Sequence, residues 1–317
     1  MRGWLGRGGA AVGIAADRAD LWPAGTLAWL AFVGWLPLLL TVAPPDAEGI
    51  EAFGVSFYLS QWFPLNLVLL AAVAVMLFML LCLVSAGAEV AIERSADPTA
   101  ERPPAGRAIG AAFTVMLLAA VPVVAASALV AMGVVTVAPA EYLSADLATP
   151  VLLRIALRLL PQLAIVLVVL LAMQALAGTA LRISFARRGS AATAFGGALR
   201  TLHHQPLAVT GVAVVGLLLD AVNVALNLVL LRLLWAPIAV GLGDGLGRGP
   251  QTILLLVGFV AVWLGLLLTA GALHVAVSAW WAMEVGIGAR TSGAAERHGP
   301  ARRPAGTVAG TESGGPH

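Results

Sequence analysis

Apolar residues come in six long runs along this chain, separated by short charged, polar or Gly/Pro-rich stretches. A helix rises about 1.5 Å per residue, so about 20 apolar residues cross the hydrocarbon layer of a bilayer. The runs predict spans at about 25–43, 65–92, 108–137, 162–183, 207–234 and 252–283. The fold class is therefore all-α, a polytopic transmembrane helical bundle of six spans within residues 25–285. Residues 1–24 read as a cytosolic amphipathic lead-in, with scattered charges and without the compact apolar core of a secretory signal. From residue 286 to 317 the chain is Gly/Ala/Arg/Pro-rich without apolar periodicity, the pattern of a disordered cytosolic tail.

Within this frame the prolines and aromatics set the details. Pro37 predicts a kink near the end of the first span. Tyr58, Trp62 and Phe63 before the second span, and Trp280 and Trp281 at the end of the sixth, have the amphipathic character of interface residues. The run from Val151 to Arg187 is too long for one perpendicular crossing, and Pro161 divides it. Val151–Leu160 then forms an interfacial turn that carries Arg154 and Arg158 four apart on one face, ahead of the fourth span.

Only 11% of the 317 residues are charged and 60% are hydrophobic, where a soluble domain carries about 25% charged residues. Such a chain cannot cover a water-facing surface. Every Lys/Arg-type cation is arginine, a bias expected of a GC-rich bacterial coding genome. The net charge of +2 is too small for nucleic-acid binding. The distribution of the arginines says more than their sum. Six spans put both termini on one side together with Arg94, Arg102, Arg107, Arg182, Arg187, Arg188 and Arg200, whereas Arg154, Arg158, Arg232 and Arg248 fall on or near the other. The positive-inside rule then places both termini in the cytoplasm and the protein in the cytoplasmic membrane.

The candidate chemistry lies deep in the fifth span. At about 100° per residue, Asp220, Asn223 and Asn227 fall within about 60° of one another on one helical face, with Gly216 one turn earlier. A carboxylate at that depth is costly unless paired or hydrated, so the stripe is suited to a proton, a cation or a polar substrate. The alternative is helix glue, at about 0.6 kcal/mol per interhelical hydrogen bond. His274 in the sixth span and Gln174 in the fourth are possible partners, and Asp220 with His274 makes a potential proton relay. Arg154, Arg158 and Arg232 cluster towards the outer face and suit an anionic headgroup, a pairing with Glu141 or Asp146, or snorkelling. Arg187, Arg188, Arg200, His203 and His204 form a basic segment fit to touch anionic lipid.

Weak internal similarity aligns Ala11–Gly25 on Ala194–Ala208 without gaps, and each leads into an outward span. PPAGRAIGAAF before the third span echoes both, which predicts three repeated hairpins. The segment RRGSAATAFGGALRTLHHQPLAV joins a small-residue turn, an amphipathic helix ending in Arg/His and a proline that opens a span. It resembles the cytosolic lead-in of a family of six-helix membrane proteins related to the membrane domain that accompanies some bacterial glycerophosphodiester phosphodiesterases, a family with stand-alone members of unknown function. No stretch here is long enough to form the catalytic barrel, so the resemblance implies the membrane part without hydrolase activity and supplies no catalytic residues.

No HExxH, nucleophile elbow or Cys/His metal spacing occurs, so no enzyme activity, cofactor or metal is implied. Cys82 reads as a small buried hydrophobe. GLGDGLGRG follows no strand and lacks the Lys-Ser/Thr ending of a phosphate loop, so it reads as a connector. The function expected is a non-enzymatic helper, scaffolding or envelope-homeostasis role exercised through helix packing and contacts with the bilayer, including anionic lipids. The alternatives are a small transporter or channel-like protein using the Asp220 stripe, and a membrane subunit beside a separate cytosolic enzyme. A homo-oligomer or a membrane partner fits each of them.

Overall fold

The computed structural model describes residues 2–43, 56, 58–96, 103–144, 149, 151–186, 190–243 and 249–297. Asp46, Glu48 and Glu51 of the first acidic loop, most of GLGDGLGRG and the tail 298–317 lie outside the described residues. Among the described residues every element is helical. Helix α1 covers Arg2–Asp17, and after a short turn α2 (Trp22–Trp29), a π-helical turn (Leu30–Gly34) and α3 (Leu36–Val42) follow in succession. Helix α4 is Leu65–Ala96, α5 Ala105–Tyr142, α6 Val151–Arg158 and α7 Leu160–Ala186. The chain closes with α8 (Ala191–His204), α9 (Pro206–Gly243) and α10 (Pro250–Arg297).

Five helical segments, Leu65–Arg94, Ala105–Glu141, Leu160–Phe185, Pro206–Leu242 and Pro250–Val285, are long and apolar enough to cross a membrane. The chain is thus a multi-pass helical membrane protein. These segments coincide with the second to sixth spans read from the sequence and extend beyond them by up to several residues. Helix α10 continues to Arg297, past the point at which the tail was expected to begin.

The first expected span, 25–43, differs. It is not one continuous helix but three short pieces, and none has the length to cross alone. Two local causes are visible. Trp29 folds its ring over Gly34, where any Cβ would collide with it, and Pro37 opens α3 in the first turn because it has no N–H to give a preceding carbonyl. The pieces nevertheless pack on the bundle, α2 along α10 and α3 along α9. Gly25 meets Gly271 backbone to backbone, the Thr26 hydroxyl donates to the Leu267 carbonyl at 3.1 Å, and Leu38 reaches the Leu231/Ile238/Phe259 group. Glycines at the crossing allow this approach, as small residues do between membrane helices.

The two segments aligned in the sequence each join a surface helix to a proline-led helix, α1 to α2 and α8 to α9. They part there, since α2 breaks after 8 residues and α9 continues for 38.

The bundle has two unlike ends. At the near end, small residues such as Ala86, Ala112, Ala180, Ala194 and Ala198 let α4, α5, α7 and α8 pack closely. Helix α1 docks on the same end. Its Trp4 ring lies 4.5 Å from that of Trp280, and Arg7 holds Glu284 through two hydrogen bonds of 2.7 and 3.0 Å. That carboxylate raises the Arg7 pKa further above an already high value. Towards the far end, which carries Glu141 and α6, the helices show apolar side chains outward on most sides. Met76 on α4, Val135 on α5 and Leu254 on α10 are all more than half exposed, as befits helices bathed in acyl chains.

Candidate functional site

The densest polar group of the interior lies in the near half, on three helices. Glu89 and Glu93 are one turn apart on α4 and share a face. Arg182 enters between them from the last turns of α7. Its Nη2 donates to Glu89 Oε2 at 2.8 Å and its Nη1 to Glu93 Oε2 at 3.0 Å. Helix α10 supplies His274 and Ser278, also one turn apart. His274 Nε2 lies 2.7 Å from Glu89 Oε1, and the Ser278 hydroxyl donates to Glu89 Oε2 at 3.4 Å. Beneath the guanidinium, 5.7 Å away, is the ring of Phe185. Glu89 and Arg182 are each 5% exposed.

A charge count decides what this group can do. Two carboxylates face one guanidinium, Glu89 buried and Glu93 21% exposed at the end of its span, which leaves one negative charge over unless a proton is added. His274 touches Glu89 directly and can carry that proton on its ring. A further carboxylate, Asp220 on α9, lies within electrostatic reach of His274. The group can therefore hold a proton on the His274 imidazole. Among the described residues, no three His, Cys, Asp or Glu side chains are placed to hold a metal ion.

The predicted stripe is present as a face of α9 but is organised differently. Asn223 and Asn227 are 5% and 1% exposed. Asn227 Nδ2 donates to the Asn223 carbonyl at 2.7 Å and lies 3.2 Å from Asn223 Oδ1, so this pair closes on its own helix. Asp220 is half-buried and faces the Trp29 indole, whose Nε1 closes no hydrogen bond. Gln174 from α7 reaches α9 beside Gly216, where a Cβ would lie 3.5 Å from its amide nitrogen. Asp220 and His274 are thus neighbours, but the hydrogen bond of His274 goes to Glu89.

The remaining candidates sit at the two surfaces. Arg154 donates to both the Glu141 carboxylate (3.0 Å) and its carbonyl (2.6 Å), and reaches the Thr149 carbonyl at 2.9 Å. Arg158 meets the other Glu141 oxygen at 3.1 Å and is 72% exposed. Of the readings open for this pair, the structure brings out the one with Glu141. Helix α8 starts at Ser190, whose hydroxyl accepts from the Thr193 amide, and buries Ala194, Gly197 and Ala198 against α7. Its outer face carries Leu199, Arg200, His203 and His204, with the two imidazole rings 5.4 Å apart. Arg187 and Arg188 lie outside the described residues.

Glu89, Glu93 and Arg182 were not singled out by the sequence reading. Glu89 and Arg182 each lie inside a predicted span within a turn of its end, and there a charge reads as part of the flank. The available signal was pairing: two carboxylates one turn apart at the close of one span, and an arginine at the close of another running the same way.

The chain matches no protein-family model, no curated protein and no solved structure. On its own geometry it is a multi-pass integral membrane protein of helices, with an ionisable cluster buried among three of them.

Proposed function

We propose that this is a non-enzymatic, proton-exchanging membrane protein, a small transporter or channel-like protein of the cytoplasmic membrane. In this reading the broken α2–α3 segment is a sixth crossing, both termini are cytoplasmic, and the near half faces the cytoplasm as the arginine distribution requires. One observation carries the proposal: Glu89, Glu93 and Arg182 balance only when a proton is added, and His274 stands 2.7 Å from Glu89 to accept it. Ionisable residues inside a bundle mark ion pathways more often than they mark stabilising contacts. The exchange is simple in its balance. A proton from water adds to the His274 ring, and the same proton later leaves to water, with no other bond made or broken.

The test is proton flux in vesicles. Purified protein is reconstituted with a trapped pH-sensitive dye, and a potassium diffusion potential drives protons inward. The wild type should acidify the lumen at least tenfold faster than protein-free vesicles, and Glu89→Gln should lose that flux. Because Glu89→Gln leaves Arg182 with one partner fewer, His274→Gln provides a second variant that keeps both ion pairs. Flux equal to that of empty vesicles, or undiminished in a folded His274→Gln protein, would overturn the proposal.

A helper or scaffolding role is the second reading, and the self-closed Asn223–Asn227 pair favours it. It also accommodates the resemblance to the phosphodiesterase-associated membrane domain. Under it the cluster would only fasten α4, α7 and α10.

A further inference from the structure

Buried polar atoms without a protein partner are few in a folded chain, and each needs a physical account. Four of those in this protein lie along a single stretch of α9. Gln174 Oε1, on α7, is at the level of Gly216. Trp29 Nε1, on α2, faces Asp220 one turn on. Asn223 Nδ2 is on α9 itself, and Trp263 Nε1, on α10, belongs to a side chain packed with Trp29 in the group around Val224. Three neighbouring helices thus bring two unpartnered donors and an acceptor to α9, which adds a donor of its own at Asn223, along the stretch from Gly216 to Val224, a rise of about 12 Å. Asp220 stands in the middle of that face, within electrostatic reach of His274.

We infer that this face is a hydrated track that joins the Glu89–His274 cluster to the far half of the bundle. The occupant that fits is water. An anion would meet the Asp220 carboxylate, a metal cation would find a single carboxylate, and an apolar group would leave every one of these atoms unpaired. Water can donate to Gln174 Oε1 and to Asp220, and it accepts from the two indoles and the Asn223 amide, so it is the one occupant that matches every one of these groups. The π-helical turn after Trp29 belongs to the same arrangement. Broken helices line the ion paths of membrane proteins because irregular backbone is tolerated where it borders a wet cavity. This inference rests on the proton-exchange reading, for which it supplies the path, but its test does not depend on flux.

The test is thiol accessibility in vesicles, in a Cys82→Ser background, with a small charged methanethiosulfonate that reacts only where water ionises the thiol. Asn223→Cys is buried and on the track; Val222→Cys is its neighbour, on a side chain 64% exposed and turned to lipid. Asn223→Cys should react at least tenfold faster than Val222→Cys, and equal or reversed rates would overturn the track. A measurement on the unmutated chain guards against misfolding of either variant: the Trp29 and Trp263 indole protons, followed by nitrogen-15 NMR in bilayers, should exchange with deuterium oxide. Full protection of both would also overturn the track. Flux with an inaccessible track defeats this inference alone, and an accessible track without flux defeats the proton-exchange reading alone.

Discussion

Two sets of polar side chains lie within the membrane-crossing helices, and they behave in opposite ways. The Glu89–Glu93–Arg182–His274 cluster takes its members from α4, α7 and α10, and the hydrogen bonds that join them cross between helices. The Asp220–Asn223–Asn227 stripe comes from α9 alone, and its Asn227 amide is bonded to its own helix. Charge explains the difference. An amide four residues from another can satisfy itself locally, whereas a guanidinium and a carboxylate need full partners and draw three helices together to find them. The polar residues that align best along one helix are therefore not the ones that tie the bundle.

The comparison predicts its largest effect at Arg182. Arg182→Ala leaves Glu89 and Glu93 buried without their cation, and breaking a buried pair from one side costs about 3–5 kcal/mol. We expect a loss of that size in unfolding in bicelles, or failure to accumulate in the membrane. The triple variant Glu89→Leu, Glu93→Leu and Arg182→Met should recover most of the loss, since apolar groups of similar volume remove the desolvation cost together with the attraction. If the single variant unfolds no more easily than the wild type, the cluster is not what fastens the near half.

This contrast also explains what could be read from the sequence. Five crossings follow directly from the apolar runs, because lipid demands some 20 apolar residues wherever a helix passes. The surface helix α8 was legible as well, from Ser190 ahead of an Ala/Gly face and a run ending in His203 and His204. The break in the first apolar run was only half legible. Pro37 announced α3, but the π-helical turn begins at Leu30 because the Trp29 ring settles on Gly34, a contact that no spacing reveals. Likewise, the amphipathic face of α9 could be drawn on a helical wheel, whereas the meeting of Glu89 with Arg182 is a contact between residues 93 positions apart.

A smaller effect is expected at Asn227. Because its side chain bonds within α9, Asn227→Leu removes no bond between helices, and the loss should stay near the average of about 0.6 kcal/mol for membrane hydrogen bonds. Unfolding in bicelles measures it directly beside Arg182→Ala. A loss of several kcal/mol would mean that the stripe binds α9 to its neighbours after all, and the contrast between the two sets would fail.

Asp220 gives the smallest change in stability and the sharpest discrimination. It faces the Trp29 indole without a closed hydrogen bond, so Asp220→Asn keeps the shape and removes only the charge, and unfolding should move by less than about 0.5 kcal/mol. Titration of His274 should respond nonetheless. The ring is faced by Glu89 from α4, by Arg182 from α7 with Glu93 behind it, and by Asp220 from α9, so deleting one of these charges must alter the equilibrium between its two protonation states. Nitrogen-15 spectra of His274 across a pH series, for the wild type and Asp220→Asn, read this out. Superimposable titrations would place Asp220 outside the cluster's electrostatics and reduce it to one more polar group on the α9 face. Displaced titrations at unchanged stability would make it a fourth ionisable member, which the stripe contributes to the cluster through charge and not through a bond.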